Sequence, residues 1–208
     1  MRTLLLSSIA VAPLLVGCQN VSVGVGAGVG GGSGGVGVGV GASTSVGGDS
    51  ARTTGNQITV TMYKIDANGI GPEIGTLMLG QSRAGLRIEP ALGGLPPGEH
   101  GFHLHDKADC GPAPKDGKVG AGNAAGGHFD PAQTGKHMGP QGNGHGGDLP
   151  VLKVDKEGNA TEIMYVLRLS PADVRGHAFM IHEGGDNYSD QPKPLGGGGA
   201  RIACGVVP

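Results

Sequence analysis

Gly101-Phe102-His103-Leu104-His105 alternates apolar side chains with imidazoles, residue by residue. Read as a strand, it sends successive side chains to opposite faces, so His103 and His105 share one face while Phe102 and Leu104 turn toward a core. Two imidazoles side by side on a stiff strand make half of a metal site. Downstream come Gly127-His128-Phe129-Asp130-Pro131, Gly135-Lys136-His137 and Gly144-His145-Gly146-Gly147-Asp148. His128, His137, His145 and Asp148 therefore follow at gaps of nine, eight and three residues, in a run too glycine-rich for a helix. Six of the eight histidines lie between His100 and His145. A lone histidine is most simply a core or surface residue with a satisfied hydrogen bond. Six with an acidic partner, in a chain of only 15% charged residues, point to metal binding. Imidazoles with one carboxylate and no nearby thiolate suit zinc or copper(II) better than calcium or an iron–sulfur cluster. The spacing leaves open whether one ion or two are held.

Outward from this stretch, strand signals recur from about Asn56 to Pro208, about 150 residues and enough for a single domain. Gln57 to Tyr63 alternates, and Asn68-Gly69 marks a turn before a strand over Glu73 to Leu79. Gly85 to Glu89 alternates again, and Pro96-Pro97-Gly98 breaks the chain before His100 to His105. Further strands are expected over Leu149 to Val154, Thr161 to Leu169, His177 to His182 and Arg201 to Val207. About eight short strands and no amphipathic helical run predict an all-β sandwich or barrel. Tryptophan is absent and aromatics make up 3%, so the core must be aliphatic and small. Two long segments break the strand rhythm, Asp106 to Asp148 and Glu183 to Gly199, and long loops in a compact domain are usually functional. His182 opens the second loop and shares a strand face with Ala178 and Met180, which makes it the seventh candidate ligand.

The N-terminus reads as an address. Arg2 precedes a mostly apolar run from Leu4 to Val16, shorter than the ~20 residues of a spanning helix. Leu15-Val16-Gly17-Cys18 resembles a bacterial lipoprotein signal, in which Cys18 is lipidated, and Gln19 resembles the sorting residue of outer-membrane lipoproteins. Residues 1–18 are then the signal. Residues 19–55 form a Gly/Val-rich linker, in which glycine between valines carries a large entropy cost and packs nothing. Such a tether reaches about 30 Å. Of three cysteines, lipidation of Cys18 leaves Cys110 and Cys204, a pair suited to one disulfide in an oxidising compartment, with two free buried thiols as the alternative.

Gly-Phe-His-Leu-His, Gly-Gly-His-Phe-Asp-Pro, Thr-Gly-Lys-His, Gly-His-Gly-Gly-Asp-Leu-Pro, His-Ala-Phe-Met-Ile-His and Gly-Gly-Gly-Gly-Ala-Arg-Ile-Ala-Cys-Gly-Val occur in that order. Together they resemble the copper–zinc superoxide dismutases, specifically their bacterial secreted branch, over residues 56–208. The resemblance implies an eight-stranded Greek-key β-sandwich. It implies Cu(2+) and Zn(2+), one each per subunit. Copper would be held by His103, His105, His128 and His182, and zinc by His128, His137, His145 and Asp148, with His128 bridging. Asp186 would hydrogen-bond His103 and His137, Cys110 and Cys204 would form the family disulfide, and Arg201 would attract and orient the substrate. His100 and His177 match no ligand position. Tyr188 and Gln191 stand where bacterial relatives often carry histidines.

The implied activity is dismutation of superoxide to oxygen and hydrogen peroxide at a redox-cycling copper, protecting the cell envelope, with His128 delivering a proton. The formal charge is only −2, so attraction of an anion must come from local positive charge. Lys107, Lys115, Lys118 and Lys136 lie near the site in sequence. Partners would be superoxide, a membrane through the lipid anchor and, since relatives include monomers and dimers, a second copy of the chain. No basic patch or run of stacking aromatics points to nucleic acid. The competing readings are a non-catalytic copper/zinc buffer of the periplasm and an adhesin built on the Val-Gly tract.

Overall fold

The computed structural model describes residues 57–208; the apolar N-terminal run, Cys18 and the Val-Gly tract lie outside the described residues. Alternation produces the first three strands, β1 (Ile58–Asp66), β2 (Gly69–Ser82) and β3 (Gly85–Leu92), an antiparallel meander. Ile58, Val60, Met62, Leu77, Leu79, Leu86 and Ile88 face inward and are buried. The Asn68-Gly69 turn forms, with Asp66 Oδ1 accepting the N–H groups of Asn68 at 2.7 Å and Gly69 at 3.1 Å. β2 starts at this turn, earlier than Glu73, because its ladder with β1 begins at the pair Asp66 and Gly69. Gly75 has φ 122°, and a Cβ there would overlap the Ala91 carbonyl oxygen, so only glycine fits where β2 slips register against β1.

The remaining strands are β4 (Gly98–His100), β5 (Phe102–His105), β6 (Ala113–Lys115), β7 (Lys118–Gly120), β8 (Leu152–Val154), β9 (Met164–Val166), β10 (Ala178–His182) and β11 (Arg201–Val206). Seven form one antiparallel sheet in the order β5-β10-β11-β1-β2-β3-β9, and β4 pairs with β8. β4 and β5 are one strand broken at Gly101, whose N–H donates to the Gly184 carbonyl (2.7 Å) and whose carbonyl accepts from the His182 N–H (2.8 Å). With β4 and β5 counted once and the separate β6–β7 hairpin set aside, eight strands build the body, as expected. The connections from β3 to β4 and from β9 to β10 cross between opposite ends of the strand order, a Greek-key path.

The sheet curls around one core. Phe102 and Leu104 of β5, Phe179 and Ile181 of β10 and Ala203 of β11 are buried with Val60, Met62, Leu77 and Ile88 from the meander. The rings of Phe102 and Phe179 stack at 5.4 Å, and the rest of this core is almost entirely aliphatic. On the opposite face of β5, β10 and β11, a second cluster gathers Ile65, Cys110, Ala125, Ala178, Met180 and Cys204. Cys110 and Cys204 are joined by a disulfide across a separation of 94 residues, which ties the loop after β5 to β11.

Three expected details differ. The long segment from Asp106 to Asp148 is not structureless: it carries the β6–β7 hairpin and a 3-10 turn at Asn123–Ala125. The strand expected over Thr161 to Leu169 is only Met164–Val166, because the chain turns at Leu167 and Arg168, with the Leu169 N–H donating to Val166 at 3.3 Å. Leu149 to Val151 runs into β8 without pairing.

Candidate metal centre

Register places the first imidazoles. Ala178 pairs with His105 and Met180 with His103, so His182 lies one pleat beyond Met180 on the face that carries both β5 histidines. His128 and Asp148 come from the long loop, each through an isolated bridge to β5: His128 opposite His105, and Asp148 opposite His103. Three backbone bonds lock the two loop ends together over Leu104. Its N–H donates to Gly147 (2.9 Å), its carbonyl accepts from Phe129 (2.8 Å), and the Gly147 N–H donates to Phe129 (2.7 Å).

His103, His105, His128 and His182 each offer one ring nitrogen to a group in which all four atoms lie within 4.8 Å of one another. His103 Nδ1, His105 Nε2, His128 Nε2 and His182 Nε2 are buried and have no hydrogen-bond partner. The opposite nitrogen of each ring is committed. His103 Nε2 lies 2.8 Å from Asp186 Oδ2, His105 Nδ1 donates to the Gly126 carbonyl (3.0 Å), and His182 Nδ1 donates to the Gly199 carbonyl (3.3 Å). His128 Nδ1 lies 3.0 Å from Asp148 Oδ1. These outward bonds fix the tautomers and aim four lone pairs at one dry point, an arrangement that is costly unless a cation receives them. Burial pushes all four rings down, His128 to about 4 and His182 to about 3, and His105 well below its ordinary value, with the Arg201 charge adding to the effect on His105. At neutral pH they are neutral imidazoles whose inward-facing nitrogens carry no proton for a metal to displace.

A second group shares His128. His128 Nδ1, His137 Nδ1 and His145 Nδ1 approach Asp148 Oδ1 at 3.0, 2.9 and 3.2 Å. Asp148 Oδ2 is occupied by the Met138 N–H at 2.9 Å, which leaves one oxygen for the centre. Three imidazoles and one carboxylate are the donor set of a closed four-coordinate zinc site. His137 faces carboxylates through both nitrogens, since its Nε2 lies 2.7 Å from Asp186 Oδ1. Burial works against charge on this ring, but hydrogen bonds to Asp148 and Asp186 override it and raise His137 to about 9. Asp148 and Asp186 are desolvated, yet their histidine partners hold both well below the usual carboxylate range. This half of the centre is built for positive charge. His128 belongs to both groups through opposite ring nitrogens, and Asp186 gives one oxygen to a ring of each. Gly196, at φ 70°, makes room for this carboxylate, because a Cβ there would overlap Asp186 Oδ1.

Arg201 starts β11 opposite His182. Its Nη1 donates to the Gly122 carbonyl (2.6 Å) and its Nη2 to that of Gly126 (2.7 Å), the same carbonyl that accepts from His105. The guanidinium is thus held half-buried beside the four-histidine group; burial lowers its pKa, and it keeps its charge at neutral pH. Lys107, Lys115, Lys118 and Lys136 are all exposed. His100 and His177 join neither group. His100 spans the carbonyls of His182 (2.7 Å) and Pro96 (2.8 Å), and His177 bonds the Asp106 carbonyl (2.7 Å) with its ring against Phe129. Tyr188 accepts the Val151 N–H at 3.0 Å, and the Gln191 carbonyl accepts from Asn187 at 2.8 Å.

Two residues that nothing in the sequence pattern marks also shape the site. Asp190 accepts the N–H groups of His137 (2.9 Å) and Leu195 (3.2 Å), joining the two long loops. Arg168 donates to the carbonyls of Gly142 (2.6 Å), His145 (3.0 Å) and Gly139 (3.3 Å).

The family model for copper/zinc superoxide dismutase (SODC) matches residues 73–207. Superoxide dismutase (Cu-Zn) 2 of Salmonella typhimurium is 56% identical over 149 residues, 71% of this chain and 86% of its own. The structure of Cu/Zn superoxide dismutase from Brucella abortus superposes with a TM-score of 0.72 at 45% identity, covering 74% of this chain and 100% of that one. The solution structure of the monomeric copper, zinc superoxide dismutase from Salmonella enterica gives 0.67 at 55% identity over the same shares. A curled Greek-key sheet, paired histidine groups fitted to two metals and relatives of this identity lead to one conclusion: the chain belongs to the copper/zinc superoxide dismutases, enzymes that use copper and zinc to dismutate superoxide to oxygen and hydrogen peroxide.

Proposed function

We propose that His103, His105, His128 and His182 hold the copper, and that His128, His137, His145 and Asp148 hold the zinc, one of each per chain. The observation that carries this is the set of four buried, unpartnered ring nitrogens, His103 Nδ1, His105 Nε2, His128 Nε2 and His182 Nε2. An all-imidazole set suits copper, and a carboxylate-completed set suits zinc. Copper supplies a one-electron redox couple when bound, whereas zinc has no redox chemistry and supplies fixed charge. His128 Nε2 is the atom that can take up and deliver a proton, since its Nδ1 stays committed to the Asp148 side. Arg201 attracts and orients the small anionic substrate beside His105 and His182. All these donors come from one chain, so the reaction needs no second copy, in keeping with the monomeric Salmonella enterica relative.

We further place the enzyme domain at residues 56–208, behind a signal at 1–18 that ends at lipidated Cys18 and a tether at 19–55. Such a chain would work at the periplasmic side of a bacterial outer membrane and protect the envelope from superoxide.

Superoxide decay followed directly on the metal-loaded chain tests the copper role. Selective removal of copper with zinc left in place is expected to abolish fast decay, and copper alone to restore it. Slow decay at full occupancy of both metals would favour a metal buffer instead. Arg201→Ile is expected to slow turnover roughly tenfold with both metals retained, the loss of one charge-assisted substrate contact. Loss of metal from that variant would sink the assigned role.

A further inference from the structure

We propose that Arg168 is a built-in cation that clamps the loop between His137 and His145 and so governs how fast zinc escapes, an inference that rests on the assignment of zinc to His128, His137, His145 and Asp148. The seven intervening residues, Met138-Gly139-Pro140-Gln141-Gly142-Asn143-Gly144, include three glycines. Met138, Gln141 and Asn143 are exposed, so the loop's own side chains contribute little hydrophobic packing, although the buried Gly139 lies against the Tyr188 side chain. Its own backbone supplies two bonds, from the His145 N–H to Lys136 (2.9 Å) and from the Gly142 N–H to Gly139 (3.3 Å). Asp148 Oδ2 adds a third at the loop's start by accepting the Met138 N–H (2.9 Å), but glycine loses the most freedom on ordering, so these bonds leave Gly139 to Gly144 weakly held.

Arg168 supplies the rest. Nη1 donates to Gly142 at 2.6 Å, and Nη2 donates to Gly139 at 3.3 Å and to His145 at 3.0 Å. Three carbonyl dipoles turned toward one spot repel each other without a cation, and the planar guanidinium fork satisfies all three at once. One of the carbonyls belongs to His145 itself, so the clamp fixes the backbone from which that ring reaches Asp148. The base of the clamp is independent of the metal loops. Arg168 sits in the turn after β9, and the next residue, Leu169, accepts the Leu86 N–H of β3 at 2.7 Å.

The position matters because His145 is the exit. Its side chain is 10% exposed, whereas those of His128, His137 and Asp148 are 0–1% exposed. Zinc release must begin by lifting a ligand, and the outermost ligand is the one Arg168 restrains. Arg168 is a positioning residue, acting through the His145 backbone.

The test uses the full chain loaded with both metals. Zinc release to a chromogenic chelator is timed while visible absorption reports copper. Arg168→Met keeps much of the aliphatic stem and removes the cation; it is expected to release zinc about tenfold faster with copper retained, a typical effect of losing a partner outside the ligands. Arg168→Lys, which keeps charge but not the fork, is expected to fall between. Methylguanidinium at millimolar concentration is expected to slow zinc release from Arg168→Met and leave the parent unchanged. Release at the parental rate from Arg168→Met, or parallel loss of both metals with no response to methylguanidinium, would overturn the clamp. His145→Ala separates the two readings. If it does not speed release, the zinc assignment fails; if it does while Arg168→Met does not, only the clamp fails.

Discussion

Asp186→Asn is expected to lower metal affinity about a hundredfold in at least one of the two groups while the fold persists, an effect at the upper end for a residue that orients ligands without binding metal. The carboxylate accepts from both groups at once, from His103 Nε2 at Oδ2 (2.8 Å) and from His137 Nε2 at Oδ1 (2.7 Å), and Oδ1 also accepts the Tyr188 N–H at 2.7 Å. An amide of the same shape has one acceptor and one donor. If its oxygen takes the Oδ1 position, the NH2 group faces His103 Nε2, and His103 must move its proton to Nδ1, the atom aimed at the four-histidine centre. If the amide turns over, His137 and Tyr188 lose their acceptor, and His137 meets the same conflict at its Nδ1. Either orientation spoils one group, and both lose a buried negative charge that favours cations. Competition against chelators of known affinity, read separately for zinc and copper, checks this. Unchanged affinity for both metals would make Asp186 incidental to the centre.

What was legible in the chain follows from the range of each interaction. Period-two alternation is local, so Phe102 and Leu104 against His103 and His105 could be read before any partner strand was known, and these side chains part to the two faces as expected. Ligand chemistry is carried by side-chain identity, so the histidine-rich window stood out. The β6–β7 hairpin carried a signal that the strand reading passed over. Asp116-Gly117 is a two-residue loop with φ 51° and 77° between paired Lys115 and Lys118, the positive-φ combination that Asp-Gly favours. Its flanks, Ala113-Pro114-Lys115 and Lys118-Val119-Gly120, are three residues each, too short to show an alternating pattern. Arg168 and Asp190 left no signal at all. Their partners are main-chain groups brought near by the tertiary path, and main-chain groups are the same in every residue, so neither spacing nor composition could reveal them.

Replacing both disulfide cysteines, Cys110→Ala with Cys204→Ala, is expected to cost about 4–5 kcal/mol of stability, because the bridge removes loop entropy from the unfolded chain over a separation of 94 residues. For a domain of this size that is roughly 10–18 °C in Tm. Alanine suits the position: both sulfurs lie in a small apolar cluster with Ile65, Ala178 and Met180, where serine would bury a hydroxyl. The measurement belongs on metal-free protein, since bound metal stabilises the folded state by mass action and would hide part of the loss. A second consequence reaches the site. The bridge anchors the segment that follows Cys110, and that segment offers the Gly122 and Gly126 carbonyls to Arg201. Without the anchor these carbonyls gain freedom, and the guanidinium they orient loses its fixed place. The metal-loaded double variant is therefore expected to turn over more slowly even at temperatures where it is fully folded. A Tm within a few degrees of the parent would mean that the β11 contacts alone hold the loop, and full activity alongside a lowered Tm would separate the stabilising role of the bridge from any role in placing Arg201.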